Sequence, residues 1–413
     1  MKRCLVVFTA LSLLLLIILP ACGGGEEEKT PAPTPTPATT PSPTATPTPT
    51  PTPTPAGPVK IGAIGPWSGP MAVSGVLADQ IIALVEWQVK NMGGILGGRE
   101  VKFVRGDDRG MVAESVAQAT KLILDDKVTI LTLGGISAAH FTAVADVVEE
   151  LKVPYVGFAS IYGVAAKKYS ACLYSHETVI SRVANFLIDV VKPKTVAYLA
   201  YEAEDAHQLI DGVEGVVGAR DRLKAKGIDI VSEQYFSQDT MDFSSYLTRI
   251  KYLNPDILVT ELNNMGQAIT INKQIMELGG WGSIKYFSAT EASAAKAAIS
   301  IPSAVGTYVS ALWLPGSDDP GMKTFENDFT QKYGRLPTPD VTYYYNCFWT
   351  AIKAIELAGT DDPGKVAEAL RSGNLKWDSA WGPLRIGTNG IGDVKGVVAQ
   401  VQEGGKLVKV WPQ

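Results

Sequence analysis

The sequence predicts an α/β protein with two lobes, each built on a parallel sheet with helices on both faces. In residues 59–413, short apolar segments rich in strand-forming residues alternate with longer segments whose apolar residues recur at helical spacing. Alternation of this kind is typical of parallel sheets covered by helices. The alternation runs from residue 59 to residue 158 and starts again at residue 178, so we expect two such lobes.

The first series of elements begins at Val59 with a strand that ends in a turn of Gly and Pro. The spacing of Ile81, Val85 and Val89 predicts the helix that follows this strand. Strands are predicted at residues 59–65, 101–105, 128–133 and 155–158, and helices at residues 78–91, 112–124 and 138–151.

The second series is followed by a C-terminal part of a different character. Helices of the second series are predicted at residues 178–191, 206–226, 243–252 and 267–278, and its strands at 195–200, 229–235, 257–260 and 285–287. The C-terminal part has helices predicted at 322–333, 343–357 and 364–371, and short strands at 382–386, 397–402 and 407–410. Glycine-containing segments at 388–390 and 403–406 predict hairpin turns between these strands.

The N-terminal residues predict export and anchoring. Lys2 and Arg3 precede an apolar run, and Ala21 stands before Cys22, which is the layout of a secretory signal of residues 1–21. The apolar run is shorter than the roughly 20 residues that a transmembrane helix needs. The sequence around Cys22 resembles a bacterial lipobox, in which the cysteine is acylated and becomes the first residue of the mature chain. The alternative is cleavage nearby by an ordinary signal peptidase.

Residues 22–58 predict a disordered stalk. Three glutamates lead into a segment in which Pro alternates with Thr, Ala and Ser. A segment with almost no apolar side chain larger than Ala cannot bury enough surface to fold. Its proline density favours an extended polyproline II conformation, so we expect a spacer between an anchor and the folded part.

The composition argues against a surface that binds nucleic acid. The chain has 37 basic and 42 acidic residues, for a formal net charge of −5, and no basic run. Two cysteines, Cys172 and Cys347, fall in the folded part. In an exported protein they would pair or remain as two buried thiols, and their sequence contexts favour the thiols.

Motifs of the common enzyme classes are absent from the sequence. It has no phosphate-binding P-loop, no dinucleotide-binding glycine motif after a strand and no nucleophile elbow. The three histidines are far apart and lack metal-ligand spacing. The pairs Asp107-Asp108 and Asp361-Asp362 would be paired carboxylates, but a loop and a helix N-terminus explain them better. We therefore expect no catalytic residue, no metal and no cofactor.

Three loops of the first lobe are candidates for binding a ligand. In open α/β sheets, ligands bind at the carboxyl ends of the strands, where helix N-termini offer free backbone N–H groups. The loops span residues 65–70, with the candidate ligand-binding residue Ser68, 134–139 and 159–161. Their small residues let a ligand approach the backbone closely, although glycine would also be needed for tight turns alone.

The order and spacing of five motifs resemble those of ABC-transporter substrate-binding proteins of the branched-chain amino acid and amide-binding family. The motifs are IGAIGPWSGP at 61–70, NMGGILGG at 91–98, VRGDD at 104–108, KPKTVA at 192–197 and GPLRI at 382–386. The resemblance covers essentially residues 59–413. It implies a type I periplasmic-binding fold, with two Rossmann-like lobes joined by three crossovers that close on a ligand. Lobe 1 would comprise 59–174 and about 314–392, and lobe 2 would comprise 175–313 and about 393–413.

The resemblance also implies where a solute binds. The loops expected to hold a ligand carboxylate contain Ser137, Ala138 and Ala139 and, after the next strand, Ala159, Ser160 and Ile161. Glu291 matches the carboxylate that holds an α-ammonium group, and Tyr343 matches an aromatic wall for the apolar side chain. Glu291 has an equally good interpretation as a residue that only begins a helix.

Several positions depart from the pattern of amino-acid binders. Ala138 and Ile161 stand where hydroxyls are usual, Ser74 stands where an aromatic residue is common, and Glu261 replaces another aromatic residue. Further polar candidates from lobe 2 are Asp205, His207, Glu261 and Asn263. The sequence therefore leaves the solute open between a branched-chain amino acid-like compound, an amide and an organic acid.

The resemblance implies an extracytoplasmic lipoprotein that delivers a small organic solute to an ABC permease. Its partners would be the permease and ATPase subunits and, through the lipid on Cys22, the membrane, and it would act as a monomer without nucleic acid. Two alternatives are a ligand-sensing receptor component with the same fold and an exported α/β enzyme, against which the missing motifs count.

Overall fold

The computed structural model describes residues 57–133, 138–157, 164–213, 215–262 and 264–412. The predicted signal peptide and stalk lie outside these residues. So do Cys22 and five predicted ligand-binding residues: Ser137, Ala159, Ser160, Ile161 and Asn263.

The first part of the described chain forms five strands and three helices. The strands are β1 (Val59–Gly65), β2 (Val101–Asp107), β3 (Ile130–Leu133), β4 (Tyr155–Gly157) and β5 (Ser170–Cys172). The helices are α1 (Ala72–Asn91), α2 (Val112–Leu124) and α3 (Ala138–Leu151).

The middle part of the chain repeats the alternation of strands and helices. Its helices are α4 (His176–Phe186), which continues as a π-helical turn over Leu187–Val191, α5 (Glu204–Asp211), α6 (Ala219–Lys224), α7 (Ser244–Leu253), α8 (Met265–Glu277) and α9 (Lys296–Ile299). Its strands are β6 (Thr195–Tyr201), β7 (Gly212–Val213), β8 (Val216–Val217), β9 (Asp229–Phe236), β10 (Ile257–Glu261), β11 (Lys285–Ser288) and β12 (Tyr308–Ala311).

The last part contains three helices and four strands. The helices are α10 (Pro320–Tyr333), α11 (Val341–Ala358) and α12 (Pro363–Leu370). The strands are β13 (Lys376–Ser379), β14 (Gly382–Arg385), β15 (Val397–Gln402) and β16 (Lys406–Trp411).

Two main sheets organise the described chain. The five-stranded sheet has the order β2-β1-β3-β4-β5 and is parallel throughout. The seven-stranded sheet has the order β16-β15-β12-β11-β10-β6-β9, and only β15 and β16 run antiparallel to their neighbours. We call the first sheet with its helices lobe 1 and the second lobe 2.

The chain passes between the lobes three times. It leaves lobe 1 between β5 and α4, returns between β12 and α10, and leaves again between β14 and β15. The helices that return belong to the core of lobe 1, where the rings of Phe103 in β2 and Phe348 in α11 have centroids 4.6 Å apart. The predicted α/β fold with two lobes and three crossovers is confirmed.

The predicted helix over 206–226 is wrong. Helix α5 ends at Asp211, a short β7–β8 hairpin follows, and α6 begins at Ala219. Gly212 has a φ of +85°, which a helix does not contain, and a Cβ at Gly218 would lie 2.2 Å from the carbonyl oxygen of Ile210. The apolar periodicity on both sides of these glycines hid the break.

The C-terminal strands pair differently from the prediction. The β15–β16 hairpin around residues 403–405 is confirmed, but β14 pairs with β13 and not with β15. The turn at 388–390 instead closes an isolated bridge between Ile386 and Gly392. Strands β5, β12 and β13 were not predicted from the sequence, although other strands of three or four residues, such as β4 and β11, were.

Candidate functional site

The carboxyl ends of the central strands meet at one edge of each sheet. In lobe 1, Gly65 is in register with Asp107, and Ile64 is in register with Leu133. In lobe 2, Glu261 pairs with Ala200, and Thr260 pairs with Ser288. The loops that follow these strands therefore start at the place where open α/β sheets bind ligands.

Asp107 holds the first of these loops in shape. Its Oδ1 accepts hydrogen bonds from the backbone N–H groups of Trp67 (2.9 Å), Ser68 (3.1 Å) and Arg109 (3.1 Å), and its Oδ2 accepts one from the Ser68 hydroxyl (2.6 Å). Burial raises the pKa of Asp107, but these hydrogen bonds to the charged form outweigh burial and lower it overall. The Ser68 hydroxyl donates its hydrogen to the Asp107 carboxylate, so toward a ligand it can act only as a hydrogen-bond acceptor.

The same loop lies directly against helix α1. A Cβ at Gly75 would be 2.6 Å from both the Pro66 carbonyl oxygen and the Trp67 Cα, so only glycine fits there. The indole N–H of Trp67 donates to Asp79 (2.7 Å), which fixes the ring. The loop is therefore a rigid wall at the edge of the sheet.

Ser74 and Tyr343 lie on two helices of lobe 1. Ser74 on α1 forms a hydrogen bond with Tyr344 on α11, which offsets part of the effect of burial that raises the pKa of Tyr344 to about 12. The ring of Tyr343 packs edge-on against Trp381, with centroids 5.0 Å apart. Trp381 is itself fixed, because its indole N–H donates to the Thr342 hydroxyl (2.7 Å).

The loops expected to hold a carboxylate are described only in part. Helix α3 begins at Ala138, whose side chain is not described, and Ala139 is exposed in its first turn. The first N–H groups of a helix have no partner within it, so this end of α3 offers donors to an acceptor.

Glu261 and His207 belong to one polar cluster at the edge of lobe 2. The Tyr198 hydroxyl lies 3.1 Å from Glu261 Oε2 and 3.0 Å from the Ala206 carbonyl oxygen. Burial, then the charge of Glu261, raises the pKa of Tyr198. His207 stacks on Tyr235 with ring centroids 3.9 Å apart. The neighbouring Asp205 lies in α5, and its side chain is not described.

The most consequential contact of lobe 2 is an ion pair between Glu291 and Arg182. Arg182 Nη1 donates to Glu291 Oε1 at 3.1 Å. The Arg182 side chain is 1% exposed and that of Glu291 is 16% exposed. Burial raises the pKa of Glu291, and the guanidinium offsets only part of this effect. Glu291, which the sequence matched to an ammonium ligand, is thus already bonded to a cation of the protein.

The fold leaves Arg182 little freedom to move. It projects from α4 among the buried residues Ile180, Val183 and Ala184. Gly396, in the third crossover, makes room for it, since a Cβ there would be 2.6 Å from Nη1. Its Nε has no hydrogen-bond partner within the described residues.

Arg182 was missed by the sequence analysis. An arginine between apolar positions of an amphipathic helix was a signal that this face buries a charge. Its partner lies 109 residues further along the chain, so spacing alone did not connect the two.

The paired aspartates have structural roles. Asp108 is buried and accepts from Gly110 N (2.9 Å) and the Ser115 hydroxyl (2.8 Å). Asp362 accepts from Lys365 N at the start of α12 (3.0 Å), and Asp361 pairs with Arg99 (2.7 Å). These contacts confirm the loop and helix-start interpretation.

Metal and disulfide chemistry have no site in the described residues. No group of three or more His, Cys, Asp or Glu side chains there has the arrangement of a metal site. Cys172 and Cys347 are both buried and form no disulfide, which confirms the expectation of two thiols.

Comparison with known proteins identifies the family of this chain. The model of the periplasmic binding protein family matches residues 58–406. The Leu/Ile/Val-binding protein homolog 7 of Brucella abortus is 22% identical over 373 residues, which cover 86% of this chain and 91% of that protein.

Two solved structures share the fold while holding different solutes. An ABC-transporter solute-binding protein from R. palustris, in complex with benzoate, has a TM-score of 0.71 at 18% identity and covers 86% of this chain and 96% of its own. The branched-chain amino acid transporter substrate-binding protein LivJ from Streptococcus pneumoniae, in complex with isoleucine, has a TM-score of 0.66 at 17% identity and covers 86% and 100%.

We predict strong coupling between Arg182 and Glu291 in the free energy of unfolding. Arg182→Met or Glu291→Gln alone leaves a buried charge without its partner, which costs about 3–5 kcal/mol. The double variant Arg182→Met/Glu291→Gln loses less than the sum, because no charge remains to be compensated. Urea unfolding of the four proteins measures the coupling.

The exposed pair Arg385–Asp393, whose side chains are 60% and 49% exposed, is the matched control. Its cycle, with Arg385→Met and Asp393→Asn, is expected to give a coupling within about 1 kcal/mol. A coupling at Arg182–Glu291 no larger than this control would contradict the buried pair.

Proposed function

This chain belongs to the periplasmic binding protein family, and on that premise we propose that it is an extracytoplasmic protein that captures a small organic solute for an ABC permease. The family match over residues 58–406 and the benzoate- and isoleucine-bound neighbours support this role. Two lobes joined by three crossovers support a mechanism in which the lobes close on the solute, because contacts made only when closed shift the population to that state.

We further propose that the solute is an organic acid without an ammonium group. The observation that carries this proposal is the ion pair of Glu291 with the buried Arg182. An amino-acid site needs a carboxylate whose negative charge is free to meet the α-ammonium group. Here the charge of Glu291 is already balanced by a guanidinium that is 1% exposed.

Adding a second cation to this pair would be unfavourable. A ligand ammonium next to Glu291 would give the cluster a net positive charge in a poorly solvated place, with Arg182 repelling it at short range. A neutral donor such as a hydroxyl would bond to the second oxygen of Glu291 without that repulsion. The geometry therefore supports a solute that presents a hydroxyl or an apolar end, and not an ammonium, to lobe 2.

The carboxylate of such an acid would bind in lobe 1. The backbone N–H groups at the start of α3, at Ala138 and Ala139, have no partner within the helix and would suit an anion. We propose that Ser137, Ala159, Ser160 and Ile161 complete this part of the site. Ser68, Ser74 and Tyr343 would line lobe 1, and the candidates from lobe 2 are Asp205, His207, Glu261, Asn263 and Glu291.

We predict that the purified protein prefers acids to the corresponding amino acids. Leucine, its α-hydroxy analogue leucic acid and its deamino analogue isocaproate differ only at the α-substituent, so they isolate the cost of the ammonium group. Isothermal titration calorimetry should give affinities for leucic acid or isocaproate about tenfold or more above that for leucine, or about 1.4 kcal/mol. Benzoate and hydroxybenzoate extend the series to aromatic acids.

The variant Glu291→Leu/Arg182→Met, which removes both charges, serves as the control for this series. Its preference among the α-substituents should shrink, because the repelling guanidinium is gone. If leucine or isoleucine binds the wild-type protein more tightly than the acids do, the proposed solute class is wrong, while the transport role would stand.

We propose that the protein is held at the membrane through Cys22, with residues 22–58 as a spacer. The signal-like N-terminus and the lipobox-like sequence support this proposal. We predict that Cys22→Ala leaves the protein uncleaved or releases it from the membrane fraction, as judged by fractionation and by intact mass. Wild-type protein whose mature N-terminus carries no acyl chain would contradict it.

A further inference from the structure

Lobe 1 contains a second cavity, distant from the loops that follow the strands. Its volume is about 520 Å³, within the range of small-molecule sites. It lies between the C-terminal part of α1, helices α10 and α11, and strand β13. Trp87, one of its lining residues, is roughly 20 Å further along α1 than Ser74, at 1.5 Å per residue.

Three aromatic rings form a triangle in the wall of this cavity. The ring centroids of Tyr345 and Trp349 are 6.4 Å apart, those of Tyr345 and Trp377 are 6.3 Å apart, and those of Trp349 and Trp377 are 6.4 Å apart. All three residues line the cavity, and Trp87 adds a fourth ring. Tyr345 and Trp349 are 4% and 5% exposed, so the partly buried Trp87 and Trp377 offer most of the aromatic surface, and such surface attracts organic cations through the negative charge of the π-system.

A buried glutamine fixes the arrangement. Gln88 is 6% exposed, and its Oε1 accepts from the Trp349 indole N–H (2.9 Å). Its Nε2 donates to Asp328 Oδ2 (2.6 Å) and to the Tyr345 hydroxyl (3.2 Å). One side chain thus holds two rings and a carboxylate in place before any ligand arrives, which reduces the entropy cost of binding.

The charged side chains that line the cavity are two carboxylates and the ammonium group of Lys353, so the lining has a net charge of −1 (one positive and two negative groups), which favours a cation. Two carboxylates, of Asp328 and Asp378, line it, and neither forms an ion pair with a Lys or Arg among the residues that the structure describes. Ammonium groups of the protein already lie over two of the rings. Lys353 Nζ is 5.2 Å from the Trp349 centroid, and Lys332 Nζ is 5.6 Å from the Trp87 centroid.

We propose that this cavity is a second binding site, for a small organic ammonium compound such as a quaternary amine. The rings would contact its alkyl groups, and Asp328 and Asp378 would balance its charge. Lys353, which pairs with Glu356 at 2.7 Å, borders the site and opposes a second cation. The site acts independently of the proposed solute site between the lobes.

The test is calorimetric titration with choline and tetramethylammonium. The neutral control ligand is 3,3-dimethylbutan-1-ol (dimethylbutanol below), in which a carbon atom replaces the charged nitrogen of choline. Both cations should bind, and dimethylbutanol should bind at least tenfold more weakly, because it lacks the charge. Equal binding of choline and dimethylbutanol, or no binding of either cation, would overturn the proposal.

Substitutions of residues that line the cavity test whether choline binds there. Trp377→Leu should weaken choline binding about tenfold, and Asp378→Asn about threefold, whereas Lys353→Met should tighten it. The partly buried Trp281, which stacks on Tyr286 in lobe 2, and the exposed Asp229 give the matched controls Trp281→Leu and Asp229→Asn. Choline affinity that is unchanged in Trp377→Leu, or reduced equally in Trp281→Leu, would overturn the site.

Two further experiments test which compound supplies the ammonium group and whether the cavity binds it independently of the proposed solute site. If the protein sediments with phosphatidylcholine vesicles but not with phosphatidylglycerol vesicles, and Trp377→Leu abolishes this sedimentation, the site binds a lipid headgroup. If the protein binds free choline but neither kind of vesicle, the site binds a soluble amine. Choline affinity should not change in Arg182→Met/Glu291→Leu. A loss of choline binding in that variant would place the cation in the interlobe site and overturn the proposal.

Discussion

The ion pair between Arg182 and Glu291 constrains both the hinge region and the chemistry of lobe 2. Arg182 comes from the first helix after the first crossover, Glu291 follows strand β11, and the room for the guanidinium is left by Gly396 in the third crossover. A buried charge that loses its partner is far more costly than the pair itself. Three distant segments must therefore keep their relative positions, and the carboxylate that the resemblance matched to a ligand ammonium group is already paired with Arg182.

In lobe 1, too, a carboxylate fixes the positions of neighbouring segments, although this carboxylate, of Asp107, is less buried. Asp107 ends strand β2 and, through three hydrogen bonds from Trp67 and Ser68, fixes the loop that follows strand β1. Gly75 lets that loop lie directly on helix α1. The proposed site thus has a rigid wall on each side: a loop held by a carboxylate in lobe 1 and a neutralised carboxylate in lobe 2. The pKa of Asp107 is lowered by the hydrogen bonds that it accepts, and the pKa of Glu291 is raised by its burial.

The sequence predicted the architecture better than the site. Long amphipathic segments such as α2 and α3 and the strand over Val59–Gly65 were predicted with the observed bounds, because periodicity is a local property. The break at Gly212 and the β13–β14 hairpin are local features that the apolar pattern does not mark, whereas β12 pairs with β15, which lies far along the chain. The site shows the same limit. Glu291 was proposed as a site residue from the family resemblance, whereas its ion pair depends on Arg182, which no spacing connects to it. The contacts of the loops at 134–137 and 158–163 lie outside the described residues and stay predictions.

The identity of the solute that the native protein retains shows directly whether the protein binds an acid without an amine. The protein should be purified from its own organism without denaturation, the bound solute released by unfolding, and its mass and fragmentation determined by mass spectrometry. We expect a carboxylic acid with no amino group, at up to one equivalent per chain. Recovery of leucine, isoleucine, valine or another α-amino acid would contradict it, because Glu291 would then bind an ammonium group despite Arg182.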